Sequence, residues 1–183
     1  INEPLGSNKA TAHDDRLETH VGIGSQIDGF GHIGRDGVHY GGVRREEIFS
    51  EDGLKALGTE HIPPIATRGI MLDMAKHFGV EQLEPMQGFG REEISAAAEA
   101  QGVTIEAGDV VLFHTGWLSM ADEDPEAYIE QQPGINMDGA EYLAELGVVA
   151  IGADSSGLET QDFGEGRAFP VHQFLLVDAG VYI

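Results

Sequence analysis

The stretch Gly108-Asp109-Val110-Val111-Leu112-Phe113-His114 gives the clearest indication of the fold. Its apolar residues follow a Gly-Asp turn and include two β-branched valines and an aromatic phenylalanine, so Val110 to His114 predict a buried strand. Helical patterns lie on both sides, over Arg91 to Gln101 and Met137 to Leu146, and a glycine follows each of them. A second apolar stretch at residues 148–152 predicts another buried strand. Helices that alternate with buried strands predict an α/β fold.

The remaining pattern extends this alternation to both ends of the chain. No internal repeat or linker interrupts it, which predicts one domain over residues 20–183 after a polar N-terminal arm at residues 1–19. Further elements are expected as follows: strand, turn and strand over 20–33, a helix over 46–57, a strand over 67–71, a helix over 72–78, a helix or strand over 169–177 and a strand over 181–183.

The charge of the chain narrows the classes of partner. Ten Lys and Arg residues stand against 32 Asp and Glu residues, which gives a formal net charge of −22. Such a field repels phosphate backbones and anionic lipid, so nucleic acid and membrane surfaces are not expected as partners. No apolar stretch approaches the ~20 residues of a membrane helix, and no signal peptide is visible. A cytoplasmic location is therefore favoured.

The composition also limits the available chemistry. The chain has no cysteine and eight histidines. Disulfides, Cys-ligated zinc and thiol nucleophiles are excluded. Histidine and carboxylate side chains remain as the available metal ligands, and this set suits zinc, manganese or iron.

The residues that can carry chemistry concentrate in residues 20–33, which read HVGIGSQIDGFGHI. If this run is extended, Gln26 and Asp28 point to the same face. Two glycines after Asp28 allow a sharp turn that brings His32 back towards it, and an imidazole and a carboxylate can share a divalent cation. On spacing alone, a glycine-rich hairpin with an Asp cap and a surface His accounts better for the run.

The run Gln26-x-Asp28-x-x-x-His32 resembles the signature of the cyclase family, which reads H-x-G-T-H-x-D-x-x-x-H. This group of metal-dependent hydrolases includes bacterial kynurenine formamidase, an arylformamidase, and isatin hydrolase. Gly24 and Ser25 also fall in register. Other matching motifs follow in the family's order: RGIMLD at 68–73, GDVVLFHTGW at 108–117, PGI at 133–135, IGADS at 151–155 and PVHQFLL at 170–176.

Two departures from the family pattern bear on the metal site. Gly22 and Gln26 stand where the signature has its first two histidines, and His20 would reach the metal only if the strand shifted or bulged. The sequence DGVHYGG at 36–42 resembles a Gln-containing subgroup, which implies a different metal set. A Glu ligand follows the last strand of the family, so we expect the protein to continue beyond residue 183.

The resemblance implies a metal-dependent hydrolase of small-molecule amides, cyclic amides or lactones, often aryl-linked. The implied metal ligands are Asp28, His32 and His172, with Gln26 as a neutral oxygen donor. Zinc or manganese is the implied cation, and its bound water becomes hydroxide near neutral pH. His32 is either a ligand or the general base, because an imidazole suits both roles.

The resemblance further implies a compact α/β domain with a mixed, barrel-like sheet and flanking helices, assembled as a homodimer or higher homo-oligomer. Phe30, Trp117 and Phe169 are candidates for an apolar substrate pocket, although ordinary core positions explain them at least as well. His114 replaces a family Arg and is either a substrate contact or a structural residue at a strand end. Asp154 is either functional or the cap of a turn.

Two alternatives stay open at this point. One is a metal-dependent cyclase or dehydratase on the same scaffold, which a product without added water would reveal. The other is an inactive small-molecule-binding homologue, which Gly22 and Gln26 favour. The retained Asp28, His32 and His172 argue against the loss of the site.

Overall fold

The computed structural model describes Pro4, residues 6–19, Gly22 and residues 24–183. The strands are β1 (Phe49–Ser50), β2 (Gly53–Leu54), β3 (Gly69–Asp73), β4 (Gly88–Phe89), β5 (Val110–His114), β6 (Gly134–Ile135) and β7 (Ala150–Ala153). The helices are α1 (Arg45–Ile48), α2 (Met74–Phe78), α3 (Arg91–Gln101), α4 (Met120–Glu123), α5 (Pro125–Glu130), α6 (Met137–Leu146) and α7 (Pro170–Gln173). Helix α7 continues as a π-helical segment, Phe174–Ala179.

A parallel sheet in the order β3–β5–β7 forms the centre of the fold. Its register aligns Asp73 with His114 and Phe113 with Ala153. The end of the chain extends the sheet, because the Ile151 N–H donates to the Tyr182 carbonyl at 2.9 Å. The expected strand at residues 181–183 is therefore present as a single parallel bridge beside β7.

The two faces of this sheet differ in burial because side chains alternate along each strand. On one face, Leu72, Val111 and Phe113 are buried in the core that also contains residues of α3 and α6. On the other face, Met71 is 61% exposed and Leu112 is 38% exposed. The central sheet therefore has one core face and one open face.

The two helices that flank the central strand are confirmed with the predicted bounds. Helix α3 begins where the Glu93 carboxylate accepts the Gly90 N–H at 2.8 Å, and α6 begins where the Asn136 side chain accepts the Gly139 N–H. Both end at a glycine with a positive φ, 68° at Gly102 and 79° at Gly147. These are conformations that glycine adopts without steric cost.

The helix expected over residues 46–57 is wrong. Helix α1 ends at Ile48, and β1 and β2 then form an antiparallel hairpin. Gly53 has a φ of 124°, which is incompatible with a helix, and the Ser50 hydroxyl donates to its carbonyl at 2.7 Å. The apolar residues have helical spacing here, although the backbone between them forms the turn of a hairpin.

Of the strand, turn and strand expected over 20–33, the start lies largely outside the described residues, and residues 24–33 form no strand. The glycines let this segment lie against another part of the backbone. A Cβ on Gly29 would stand 2.8 Å from the Leu57 carbonyl oxygen, and the Gly31 N–H donates to that same oxygen at 2.8 Å. His20, considered above as a replacement ligand, lies outside the described residues.

The predicted α/β class and single domain are confirmed, but the barrel-like closure is not. In the described part of the chain, one three-stranded and two two-stranded sheets form, and none closes into a barrel. Residues 6–19 contribute no named strand or helix, and Leu17 within them is 88% exposed. Within residues 24–183 and the short described stretches before them, no helix has the length and apolarity to cross a membrane.

Candidate functional site

Asp28 is held beside the last residues of the chain by its backbone. Its N–H donates to the carbonyl of Ile183 at 2.7 Å, so the early part of the chain is tied to its last residues. The Asp28 side chain is largely buried, at 14% exposure. The Gln26 amide lies 3.4 Å from the Asp28 Oδ1 atom, a long hydrogen bond from the exposed side.

His32 reaches Asp28 through a tight turn. The His32 N–H donates to the Gly29 carbonyl at 2.9 Å, which folds the chain back on itself. As a result, His32 Nε2 lies 3.6 Å from Asp28 Oδ2, and the imidazole is about half exposed. The turn expected from the glycines after Asp28 is thus present.

His172 comes to the same carboxylate from the far end of the sequence. It lies in the short helix α7, where it is buried, and its Nε2 is 4.0 Å from Asp28 Oδ2. The ring centroids of His32 and His172 are 6.5 Å apart. The structure therefore brings together three of the predicted residues, Asp28, His32 and His172.

Glu159 is a member of this cluster that the sequence analysis missed. It is 1% exposed and lies beside β6, where it forms an isolated bridge with Ile135. Its carboxylate accepts the N–H groups of Val171 at 2.9 Å and His172 at 3.3 Å. It also contacts His172 Nδ1. No local pattern distinguishes this residue among the 32 acidic residues of the chain.

The contact with Glu159 fixes the state of the His172 ring. A carboxylate only accepts hydrogen bonds, so Nδ1 carries the hydrogen and the Nε2 lone pair points away from Glu159. Metal-binding histidines have this arrangement, in which a carboxylate behind the ring orients it and raises its basicity. The lone pair of His172 is then available on the side where Asp28 lies.

The donor chemistry at Asp28 fits a divalent cation, since it combines a carboxylate oxygen with two imidazole nitrogens. The distances of 3.6 and 4.0 Å to a single oxygen show that the three donors converge. Among the described residues, however, no group of three or more His, Asp and Glu side chains is ready to hold a metal ion. The cluster is therefore a partial site that needs further ligands to hold a metal ion.

Two of the predicted pocket aromatics lie in different surroundings. Phe169 is 43% exposed, and its ring meets that of His172 edge-on at a centroid distance of 5.5 Å. Trp117 is buried, and its indole N–H donates to the Tyr128 carbonyl at 3.1 Å. Phe169 thus borders the cluster, whereas Trp117 packs as a core residue.

Phe30 fills a third kind of position. Its ring stacks on that of Tyr182 at a centroid distance of 4.3 Å and packs at a tilt against that of Tyr40 at 4.5 Å. These contacts fasten the segment that carries Asp28 to the end of the chain. Phe30 therefore supports the cluster by packing.

His114 belongs to a separate group of residues at the carboxyl ends of the central strands. Its Nδ1 lies 3.1 Å from Asp73 Oδ1, and its Nε2 lies 3.9 Å from Asp154 Oδ2. The Lys76 N–H lowers the pKa of the Asp73 carboxyl below its usual value, and the hydrogen bond with His114 lowers it further. Burial, together with the charge of Asp154, raises the pKa of Tyr128 nearby.

Comparison with known proteins identifies the family. A family model described as "Putative cyclase" matches residues 3–160. The chain is similar to a solved structure described as a novel cyclase, with 26% identity and a TM-score of 0.81. That alignment covers 97% of this chain and 60% of the other, so the chain spans 60% of the length of that relative. A search of curated proteins gives no match.

Two further solved structures share part or all of the fold. One is an isatin hydrolase bound to the product analogue thioisatinate, with 26% identity, a TM-score of 0.52 and coverage of 62% of this chain and 44% of the other. The second is described as a potential metal-dependent hydrolase with cyclase activity, with 21% identity and a TM-score of 0.54. Its alignment covers 100% of this chain and 75% of the other.

Proposed function

Because the chain belongs to the cyclase family, we propose that it is a metal-dependent hydrolase of an amide, cyclic amide or lactone bond in a small molecule. The observation that carries the proposal is the convergence of His32 and His172 on one oxygen of Asp28. The isatin hydrolase among the similar structures supports the same reaction class.

In this proposal Asp28 and His172 hold the cation, which is zinc or manganese. A bound divalent cation supplies a water of lowered pKa and polarises a carbonyl group. Glu159 orients the His172 ring through its contact with Nδ1, so that Nε2 faces Asp28. Gln26 lies at the rim, where its amide holds Asp28 Oδ1.

His32 is assigned to proton transfer or to ligation. Its imidazole is half exposed, so it exchanges protons with solvent, whereas His172 is buried. A general base must lie within hydrogen-bond reach of the group it deprotonates, and His32 Nε2 points to the same oxygen as the proposed ligand His172. Phe169 forms an exposed apolar edge beside His172 against which an aryl substrate would pack.

The metal content of the protein tests the proposal. Elemental mass spectrometry on the purified protein, after reconstitution with Zn²⁺ or Mn²⁺, should find one bound cation fewer per chain in Asp28→Ala and in His172→Ala than in the unchanged protein. The same samples are assayed with aryl amides, cyclic imides and lactones, and the product mass should show the gain of one water. His61→Ala, an exposed histidine beside Glu60, is the matched control and should keep both properties.

Other results would contradict the proposal in different ways. Full activity in Asp28→Ala would remove Asp28 from the site. A product of unchanged mass would favour a cyclase, and the loss of one water would favour a dehydratase. No bound cation after reconstitution would favour an inactive small-molecule-binding homologue.

A further inference from the structure

A row of ionisable side chains crosses the open face of the central sheet at its carboxyl end. Asp73 is the last residue of β3, His114 is the last residue of β5, and Asp154 directly follows β7. The strand register places them side by side. Ligands of open α/β sheets bind beyond the carboxyl ends of the strands, so this row lies where the fold favours a site.

Asp73 fixes the ring of His114. Its Oδ1 atom lies 3.1 Å from His114 Nδ1 and also accepts the Lys76 N–H at 2.9 Å. Since the carboxylate only accepts, Nδ1 carries the hydrogen, and in the neutral ring Nε2 is the atom with the lone pair. The His114 side chain is 47% exposed, so this lone pair is open to solvent and to ions.

The Asp154 carboxylate is held in place by hydrogen bonds from the residues that follow His114. Its Oδ1 accepts the backbone N–H and the hydroxyl of Thr115, at 2.8 and 2.5 Å, and its Oδ2 accepts the Gly116 N–H at 2.9 Å. Oδ2 retains a lone pair and lies 3.9 Å from His114 Nε2. An imidazole nitrogen and a carboxylate oxygen are thus held facing each other without a direct hydrogen bond.

We propose that His114 Nε2 and Asp154 Oδ2 form a second divalent-cation site, with Asp73 as the positioning residue for the His114 ring. An imidazole and a carboxylate suit zinc or manganese. The described residues offer no third His, Asp or Glu ligand here, so water or a ligand carboxylate completes the coordination. The net charge of −22 favours the approach of cations.

The test uses Zn²⁺ alone and the Asp28→Ala protein, so that the site proposed above does not contribute. Equilibrium dialysis with elemental mass spectrometry should give one zinc per chain in Asp28→Ala. Adding His114→Gln should weaken this binding at least tenfold, whereas adding His61→Ala should leave it unchanged. The His61–Glu60 pair is a matched control, since it is an exposed imidazole beside a single carboxylate at 3.2 Å.

The role of Asp73 has its own readout. In Asp73→Asn we expect zinc affinity to fall by about 10–100-fold, as is usual when the partner behind a metal-binding imidazole is lost. The ¹⁵N chemical shifts of His114 should show that its tautomer ratio has changed, which a purely structural role would not produce. Circular dichroism checks that every variant is folded.

The second site would be ruled out by either of two results. One is zinc binding in Asp28→Ala that His114→Gln does not weaken. The other is an Asp28→Ala protein that binds no zinc at millimolar concentration. Neither result bears on the Asp28 site, because Asp28 is absent from every sample.

Discussion

Two regions of the molecule have the same arrangement of a carboxylate, a histidine and a second carboxylate, but in different surroundings. In the first, Glu159 contacts Nδ1 of His172, whose Nε2 lies 4.0 Å from Asp28. In the second, Asp73 contacts Nδ1 of His114, whose Nε2 lies 3.9 Å from Asp154. Both place an imidazole nitrogen opposite a carboxylate oxygen across a gap of similar width.

Burial separates the two regions. Glu159 and His172 have side chains that are 1% and 8% exposed, whereas Asp73 and His114 are 39% and 47% exposed. A buried ionised group is costly unless it is fully hydrogen-bonded, while an exposed one is solvated by water. The same contacts are therefore required for the fold at Glu159 and are optional for the fold at Asp73.

The largest expected difference concerns the additional imidazole of the first region. His32 lies 3.6 Å from Asp28 Oδ2, and the second region has no equivalent among the residues described. If His32 is the general base, His32→Ala should lower kcat by about 10²–10⁴-fold because the proton acceptor is lost. Steady-state kinetics on the best amide or lactone substrate measures the effect, with His61→Ala as control.

The metal content of the same variant distinguishes the two roles of His32. If His32 is the general base, His32→Ala should keep the bound metal. If His32 is a ligand, the variant should lose it. Unchanged kcat and unchanged metal content in His32→Ala would exclude both roles. The first region would then consist of one histidine facing one carboxylate, as the second region does.

The next effect is on stability and separates the two carboxylates behind the imidazoles. Glu159→Ala leaves His172 and two buried backbone N–H groups without their acceptor. We expect the free energy of unfolding to fall by about 3–5 kcal/mol, as when one partner of a buried pair is removed. Asp73→Ala removes an N-cap acceptor at the start of α2 and should cost only about 1 kcal/mol. Urea unfolding of both variants measures the difference.

Equal losses in the two variants would contradict the burial argument. Glu159→Gln is a useful intermediate, because its amide keeps one acceptor oxygen but places a donor against the remaining N–H groups. Its loss of stability should lie between that of Glu159→Ala and that of the unchanged protein. An unchanged unfolding free energy would show that Glu159 is not the acceptor.

The fold was predictable where glycine and periodicity agree. Helices α3 and α6 and strand β5 have the predicted bounds, because Gly102 and Gly147 end helices that apolar spacing already indicates. The hairpin β1–β2 was mistaken for a helix, since its turn depends on Gly53. Sheet closure could not be read from the sequence either, because pairing between distant segments leaves no local pattern.

The candidate site was predictable only in part, for a similar reason. Asp28, His32 and His172 belong to recognisable motifs, and the structure places them together. Glu159 carries no motif and becomes notable only when burial and its three donors are known. The pairing of Asp73, His114 and Asp154 follows from strand register, which a single sequence does not provide.

The smallest expected effect concerns the stability that Asp109 contributes. Asp109 directly precedes β5, at the end opposite His114, and its partner is an arginine and not a histidine. Arg68 forms a two-pronged ion pair with Asp109, at 2.9 and 2.7 Å. The Arg68 hydrogen bonds, followed by the Glu106 N–H, lower the pKa of Asp109 below its usual value. The ion pair therefore stabilises the fold above the unfolded pKa of Asp, about 3.9, and this contribution is lost as the pH falls through the lower folded pKa.

In Asp109→Asn the unfolding free energy should depend less steeply on pH below about 4, which urea unfolding at several acidic pH values measures. An unchanged pH dependence would mean that the ion pair with Arg68 does not lower the pKa of Asp109 in the folded protein.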